Sequence, residues 1–202
     1  EQITRDTRIL SIFEGTNEIL HLYIALSGLK DVGTGLSELK SAVGEIFNEP
    51  IKGFGVLGSY TGRRMREATG YGIDRIAHEL SPRLRKVAAT YEKYTVELSK
   101  SSDQLLRRYG KKATDMQHAQ KRLADIAIDL FVGLCVLSRA DSLEKQSHPA
   151  SAQAVSIAEM FARQARRRMA RNVRGLERNE DAAVEQLAGA VLANDGYMWD
   201  VI

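Results

Sequence analysis

Residues 12–16 read Ile-Phe-Glu-Gly-Thr, and it is here that residue types and spacing could do chemistry. A carboxylate set among apolar neighbours is pushed toward its neutral form, which raises its pKa into the range useful for a general base. Glu14, after Ile12 and Phe13, has that setting. Gly15 has no Cβ and lets a ligand approach the backbone. Thr16 is an N-cap residue for the apolar run that follows. Free amides at a helix start can face an anionic or carbonyl oxygen. A glutamate without these neighbours would read as a solvated charge.

Other candidate chemistries lack their context. Gly53, Gly55 and Gly58 spell GxGxxG, but FNEPIK precedes them and SYTGRR follows. A dinucleotide fingerprint needs an apolar strand before it and a packed helix after it, and Pro50 disfavours a central strand. The stretch reads as linker, or as an apolar loop of Ile46, Phe47, Ile51, Phe54, Val56 and Leu57 that could touch a membrane or partner. A helical di-iron site would need two inward Glu-x-x-His pairs, and the chain does not supply two. His78, His118 and His148 read as surface or boundary residues, and Cys135, between Leu134 and Val136, as a small core residue. A single cysteine excludes an internal disulfide framework and fits a reducing compartment.

Arg163, Arg166, Arg167, Arg168, Arg171, Arg174 and Arg178 make a basic band. Two uses fit: a solvated face paired with acidic neighbours, or a surface for an anionic membrane or acidic partner, carried by Arg163, Arg167, Arg171 and Arg174. Nucleic acid fits poorly, because no aromatic platform accompanies the arginines and the net charge is only +3.

These residues must be positioned by helices. Aromatics make up 6% of the chain and prolines number 3, and the abundant Ala, Leu, Glu, Lys, Arg and Gln favour helix over sheet. Residues 1–11 are mixed and read as extended or loop. A helix is expected from Thr16 to about Leu29, ending near Gly28. Residues 30–80 hold nine of the chain's 16 glycines and read as a long linker, with at most a brief helix over 36–43. Ser81-Pro82 then opens a long helix stopped by Gly110. Further helices are expected over 114–144, 150–174 and 180–193, each with an apolar stripe at steps of three and four, with Gly175 ending the third and Asn179 capping the fourth. The expected fold class is all-α: an antiparallel four-helix bundle over 81–202, preceded by a detached helix (1–29) and a linker (30–80).

The words Arg5-Asp6-Thr7-Arg8-Ile9 and Ile12-Phe13-Glu14-Gly15-Thr16-Asn17-Glu18-Ile19-Leu20 resemble the signature that ends the catalytic region of the acyl-CoA dehydrogenase family. Through Ala25-Leu26, and in 120–130 (QKRLADIAIDL) and 137–140 (LSRA), the likeness is to its very-long-chain branch, which includes a respiratory-complex assembly factor and carries an extra helical domain. The resemblance implies a flavoenzyme of β-oxidation. Glu14 would be the catalytic base that takes the α-proton of a fatty acyl-CoA while the β-hydrogen leaves as hydride to FAD. Gly15 would contact substrate, and Thr16, Asn17 and Glu18 the flavin nucleotide. It further implies an electron-transfer flavoprotein-like acceptor, a homodimer, possible peripheral membrane contact, no nucleic acid, and a place in the bacterial cytoplasm or on the matrix side of the mitochondrial inner membrane. The family's flavin fold needs domains that would precede residue 1. The opening EQITRD, without methionine, therefore reads as a piece of a longer chain, inactive by itself and not expected to hold FAD.

Overall fold

The computed structural model describes residues 1–44, 75–194, 196 and 197. Among them, six α-helices and two short 3-10 turns make up the regular structure, and no strand occurs. The core is built by α3 (Arg85–Tyr109), α4 (Gln117–Lys145) and α5 (Ser151–Glu177). Each has the stripe its sequence calls for. α3 buries Val87, Ala88, Tyr91, Tyr94, Ser102 and Leu105; α4 buries Leu123, Ile126, Leu130, Leu137 and Ala140; α5 buries Val155, Ala158, Ala162, Ala165 and Met169. The small alanines of α5 let it lie close to α4, and this pair makes the most extensive contact in the fold. Fully burying a side chain such as Leu84 or Met169, both 0% exposed, is worth about 1.5–3 kcal/mol. Short connections at 110–116 and 146–150 reverse the chain between α3, α4 and α5, as an antiparallel bundle requires.

Ser81 was expected to cap α3. Instead its amide donates to Asp141 Oδ1 at 2.9 Å and its hydroxyl to Glu144 Oε2, so it ties the entry of α3 to the end of α4. Burial pushes the Asp141 carboxyl up, but the bonds from Lys145 and Ser81 outweigh it and hold the group below the usual carboxylate range. Gly110 ends α3 as expected, with φ 55° and its amide on the Leu106 carbonyl. Gly175 does not end α5, which continues to Glu177. Its missing side chain makes room for another: a Cβ there would lie 3.0 Å from Arg122 Nε. Arg122 passes over Gly175 and clamps Asp181 with two bonds of 2.6 Å.

The all-α bundle stands, but its fourth helix is not the one expected. α6 (Asp181–Ala193) buries none of its residues, and Val184, Leu187 and Leu192 face solvent. The place beside α3 and α4 is taken by α2 (Asn17–Gly44), the helix expected to be detached. Ala25 and Leu29, one turn apart, are each only 5% exposed, and Leu29 joins Leu105, Ala113, Ala119 and Leu123 in a second small core. The reason is geometric. Ala25 lets α2 approach closely, and His21 Nε2 reaches Asp125 Oδ1 at 3.0 Å.

α2 also runs through Gly28 and takes in the short helix expected over 36–43. Residues 1–11 are not extended: α1 (Gln2–Ile9) is helical, with Arg5 paired to Glu1 at 2.7 Å and the Thr7 hydroxyl on the Ile3 carbonyl, though every residue of it is exposed. Cys135, expected in the core, is exposed, as are Leu134 and Ile157. The GxGxxG glycines and the apolar loop of 46–57 lie outside the described residues.

Candidate functional site

The Glu14 turn joins α1 to α2. Ile12 and Phe13 donate their amides to the Ile9 carbonyl at 2.9 and 3.0 Å, which winds the end of α1 into a tight turn. The Ser11 hydroxyl bonds the Arg8 carbonyl at 2.8 Å. The Asn17 amide then reaches back to the Ser11 carbonyl at 3.2 Å and closes a loop around residues 12–16. Inside that loop Glu14 has φ 59° and Gly15 φ 117°. A left-handed glutamate is uncommon, and such backbone is held where surroundings fix it, often at working sites. At Gly15 a side chain would be strained by that φ and would also meet Leu20 Cδ2 at 3.4 Å. Thr16 caps α2 as expected, its hydroxyl accepting the Ile19 amide at 3.4 Å.

The turn thus presents a carboxylate at its tip, in front of a helix start. The apolar enclosure expected around Glu14 is not formed by the described residues: Glu14 is exposed, Ile12 is 67% and Phe13 44% exposed. The apolar side chains Ile9, Leu10, Ile19, Leu20, Tyr23 and Ile24 are exposed as well.

The helix start draws in negative charge. The Glu18 carboxyl is held below the usual range, first by its own backbone amide and then by the Thr16 hydroxyl. Two backbone amides at this helix start bond within the chain, that of Asn17 to the Ser11 carbonyl and that of Ile19 to the Thr16 hydroxyl.

His21 joins this end of the molecule without having been singled out in the sequence. Its Nδ1 meets the Asn17 carbonyl and its Nε2 meets Asp125 on α4. Neither residue signals the pair alone, because the two lie far apart in the chain. Among the described residues no group of three or more His, Cys, Asp or Glu is placed to hold a metal ion, and no helix is long and apolar enough to cross a membrane.

The sequence family whose profile is described as "ACAD9/ACADV, C-terminal domain" matches residues 82–197, more than half of the chain. The chain belongs to this family. It is similar to the very long-chain specific acyl-CoA dehydrogenase, mitochondrial, of Bos taurus, at 31% identity over 88% of this chain and 27% of that protein. The Homo sapiens protein of the same name is 34% identical over 74% of this chain and 22% of its own length. The probable acyl-CoA dehydrogenase FadE10 of Mycobacterium tuberculosis (strain ATCC 25618 / H37Rv) is 26% identical over 98% of this chain and 30% of its own length. The chain therefore spans between a fifth and a third of the length of these relatives.

In this ACAD9/ACADV-type C-terminal domain the basic band divides. Arg168 turns inward: its Nε and Nη2 grip the buried Asp129 at 2.5–3.1 Å, and its guanidinium stacks on Phe161 at 5.6 Å. The bonds to Asp129 push the Arg168 pKa up and outweigh the opposing effect of burial. Arg163, Arg167, Arg171 and Arg174, spaced by three and four along α5, share one exposed stripe. Arg163 has Glu159 at 3.9 Å, and Arg174 reaches the Ala170 carbonyl at 3.4 Å. Arg167 and Arg171 form no ion pair among the described residues. His78, His118 and His148 are exposed.

Proposed function

We propose that this chain is the C-terminal part of a flavin-dependent acyl-CoA dehydrogenase and that Glu14 is its catalytic base. The supporting observation is the turn itself: a glutamate in left-handed backbone at φ 59°, followed by a glycine at φ 117° and a capped helix, in a chain of this family. In this reading Glu14 removes the α-proton of a fatty acyl-CoA thioester. Its backbone amide faces the thioester carbonyl, where negative charge develops as the proton leaves. Gly15 leaves space for the substrate beside the backbone, while Thr16, Asn17 and Glu18 set the helix start against the flavin nucleotide. FAD, when bound in the longer protein, supplies the acceptor for the β-hydrogen and its electron pair; the described residues do not enclose it. The exposed apolar side chains from Ile9 to Ile24 fit a segment covered by other parts of that protein or by a second copy in a homodimer. An electron-transfer flavoprotein-like acceptor would then reoxidise the flavin. By itself the chain is inactive.

The test is Glu14→Gln in the longer enzyme, followed by single-turnover reduction of the bound flavin by a long-chain acyl-CoA. Removing a general base lowers the rate by roughly 10²–10⁴-fold with the flavin still bound. A rate within about tenfold of the unaltered enzyme would remove Glu14 from the role, since that is far less than a lost base costs.

A second reading concerns the stripe of Arg163, Arg167, Arg171 and Arg174. Its exposed members Arg167 and Arg171, which form no ion pair among the described residues, favour a peripheral contact with an anionic membrane, on the bacterial cytoplasmic side or the matrix side of the mitochondrial inner membrane.

A further inference from the structure

Away from the Glu14 turn, the start of α3 faces the middle of α5 across a groove of about 490 Å³. Arg83 and Lys86 stand on one wall and Arg163 and Arg166 on the other, with Glu159 the single carboxylate in the lining. The buried Val87 and Ala162 form its floor.

The carboxylates near these cations pair with them only loosely. Arg163 Nη1 is 3.9 Å from Glu159, and Arg83 Nη1 is 3.9 Å from Glu144, both too long for a direct hydrogen bond. Glu144 is also engaged by the Ser81 hydroxyl. Lys86 and Arg166 form no ion pair among the described residues. α3 begins at the same place, and its polarity is reversed from the usual one. Its first turn has no acidic residue and no side-chain cap, and Arg85 and Lys86 stand there instead. A helix N-terminus carries partial positive charge, so cations in the first turn repel it. A groove lined by one sign of charge concentrates potential and draws counter-ions. An anion between the two walls would offset the repulsion among Arg83, Lys86, Arg163 and Arg166.

We propose that this groove binds a compact phosphate-dense anion of the diphosphate class, held by Arg83 and Lys86 of one wall and Arg163 and Arg166 of the other. Guanidinium forks match phosphate oxygens in pairs, and the lysine adds a point charge. A lone carboxylate would leave half of these cations unmatched.

The experiment is a calorimetric titration of the 202-residue chain with inorganic pyrophosphate at about 0.15 M salt, where the Debye length is about 8 Å. Saturable one-to-one binding is expected. Lys86→Gln with Arg166→Gln should weaken it by about tenfold or more, the loss of at least one charge-assisted contact. Arg167→Gln with Arg171→Gln removes the same charge outside the groove and should change it by less than about twofold, since salt screens distant exposed charges. All four positions are exposed, so the fold is expected to survive, which circular dichroism checks. Equal weakening by both pairs, or no saturable binding of pyrophosphate and no groove-dependent binding of vesicles, overturns the proposal. The vesicle arm uses phosphatidylcholine containing phosphatidic acid. Sedimentation lost in the groove pair and kept in the other assigns the same site to a lipid headgroup. Sedimentation lost only in the Arg167 and Arg171 pair, with pyrophosphate not bound, overturns the groove and leaves the stripe as the membrane surface.

Discussion

Gly133 faces the ring of Tyr91, and a Cβ built on it would lie 2.3 Å from Cε1 of that ring. Tyr91 is 1% exposed and cannot retreat into solvent. Gly133→Ala is therefore expected to cost about 1–3 kcal/mol through overpacking, read as a lower urea midpoint with helical circular dichroism retained. An unchanged midpoint would mean that α3 and α4 can separate at this point without loss. The Tyr91 hydroxyl is buried with no partner among the described residues, and burial, followed by the charge of Asp129, pushes its pKa up to about 12. It stays neutral through the physiological range. None of this was legible in the sequence. Tyr91 lies on the buried face of α3, but nothing local indicated that its ring lies against a glycine on another helix. Glu14 is the opposite case: its type, its glycine and its cap were legible from adjacent residues, because a turn is made by neighbours.

At the scale of elements, α6 is attached mainly through one clamp. Arg122 and Asp181 are each 21% exposed in their side chains, and the bonds from Arg122 hold the Asp181 carboxyl below the usual range. A carboxyl whose folded pKa is depressed contributes stability that is present above its unfolded pKa and lost as pH falls through the folded one. Docking of α6 should then be complete above about pH 4 and fail in more acidic solution. The clamp is worth about 1 kcal/mol, between exposed and buried pairs. Asp181→Asn should lower amide protection in α6 at neutral pH and remove its acid dependence, measured by hydrogen exchange. Protection of α6 that ignores both the substitution and pH would show that something other than Arg122 holds it. The helical stripes themselves were legible because they depend on steps of three and four. The ends were less so: Gly28 and Gly175 read as stops, yet α2 and α5 continue through them. At Gly175 the glycine serves a side chain from another helix.

At the scale of the molecule, the bundle's fourth member is α2. Leu29→Ala should cost about 2–5 kcal/mol, the range for a buried leucine, in equilibrium unfolding of the chain. Leu187→Ala in α6 should cost less than about 0.5 kcal/mol, as for an exposed position. The reverse order would restore the bundle read from the sequence, with α6 inside and α2 detached. Helix content, the stripes of α3, α4 and α5 and the Thr16 cap were determined by the sequence alone, because each rests on residues a few positions apart. The tertiary structure decided which apolar helix is covered. α2 and α6 both carry apolar faces, and no periodicity distinguishes them. Ala25 allows close approach and His21 meets Asp125 across the chain, whereas α6 is clamped by Arg122 and leaves Val184, Leu187 and Leu192 in water. It also brought Arg83 and Lys86 opposite Arg163 and Arg166, a juxtaposition that exists only once α3 and α5 lie side by side.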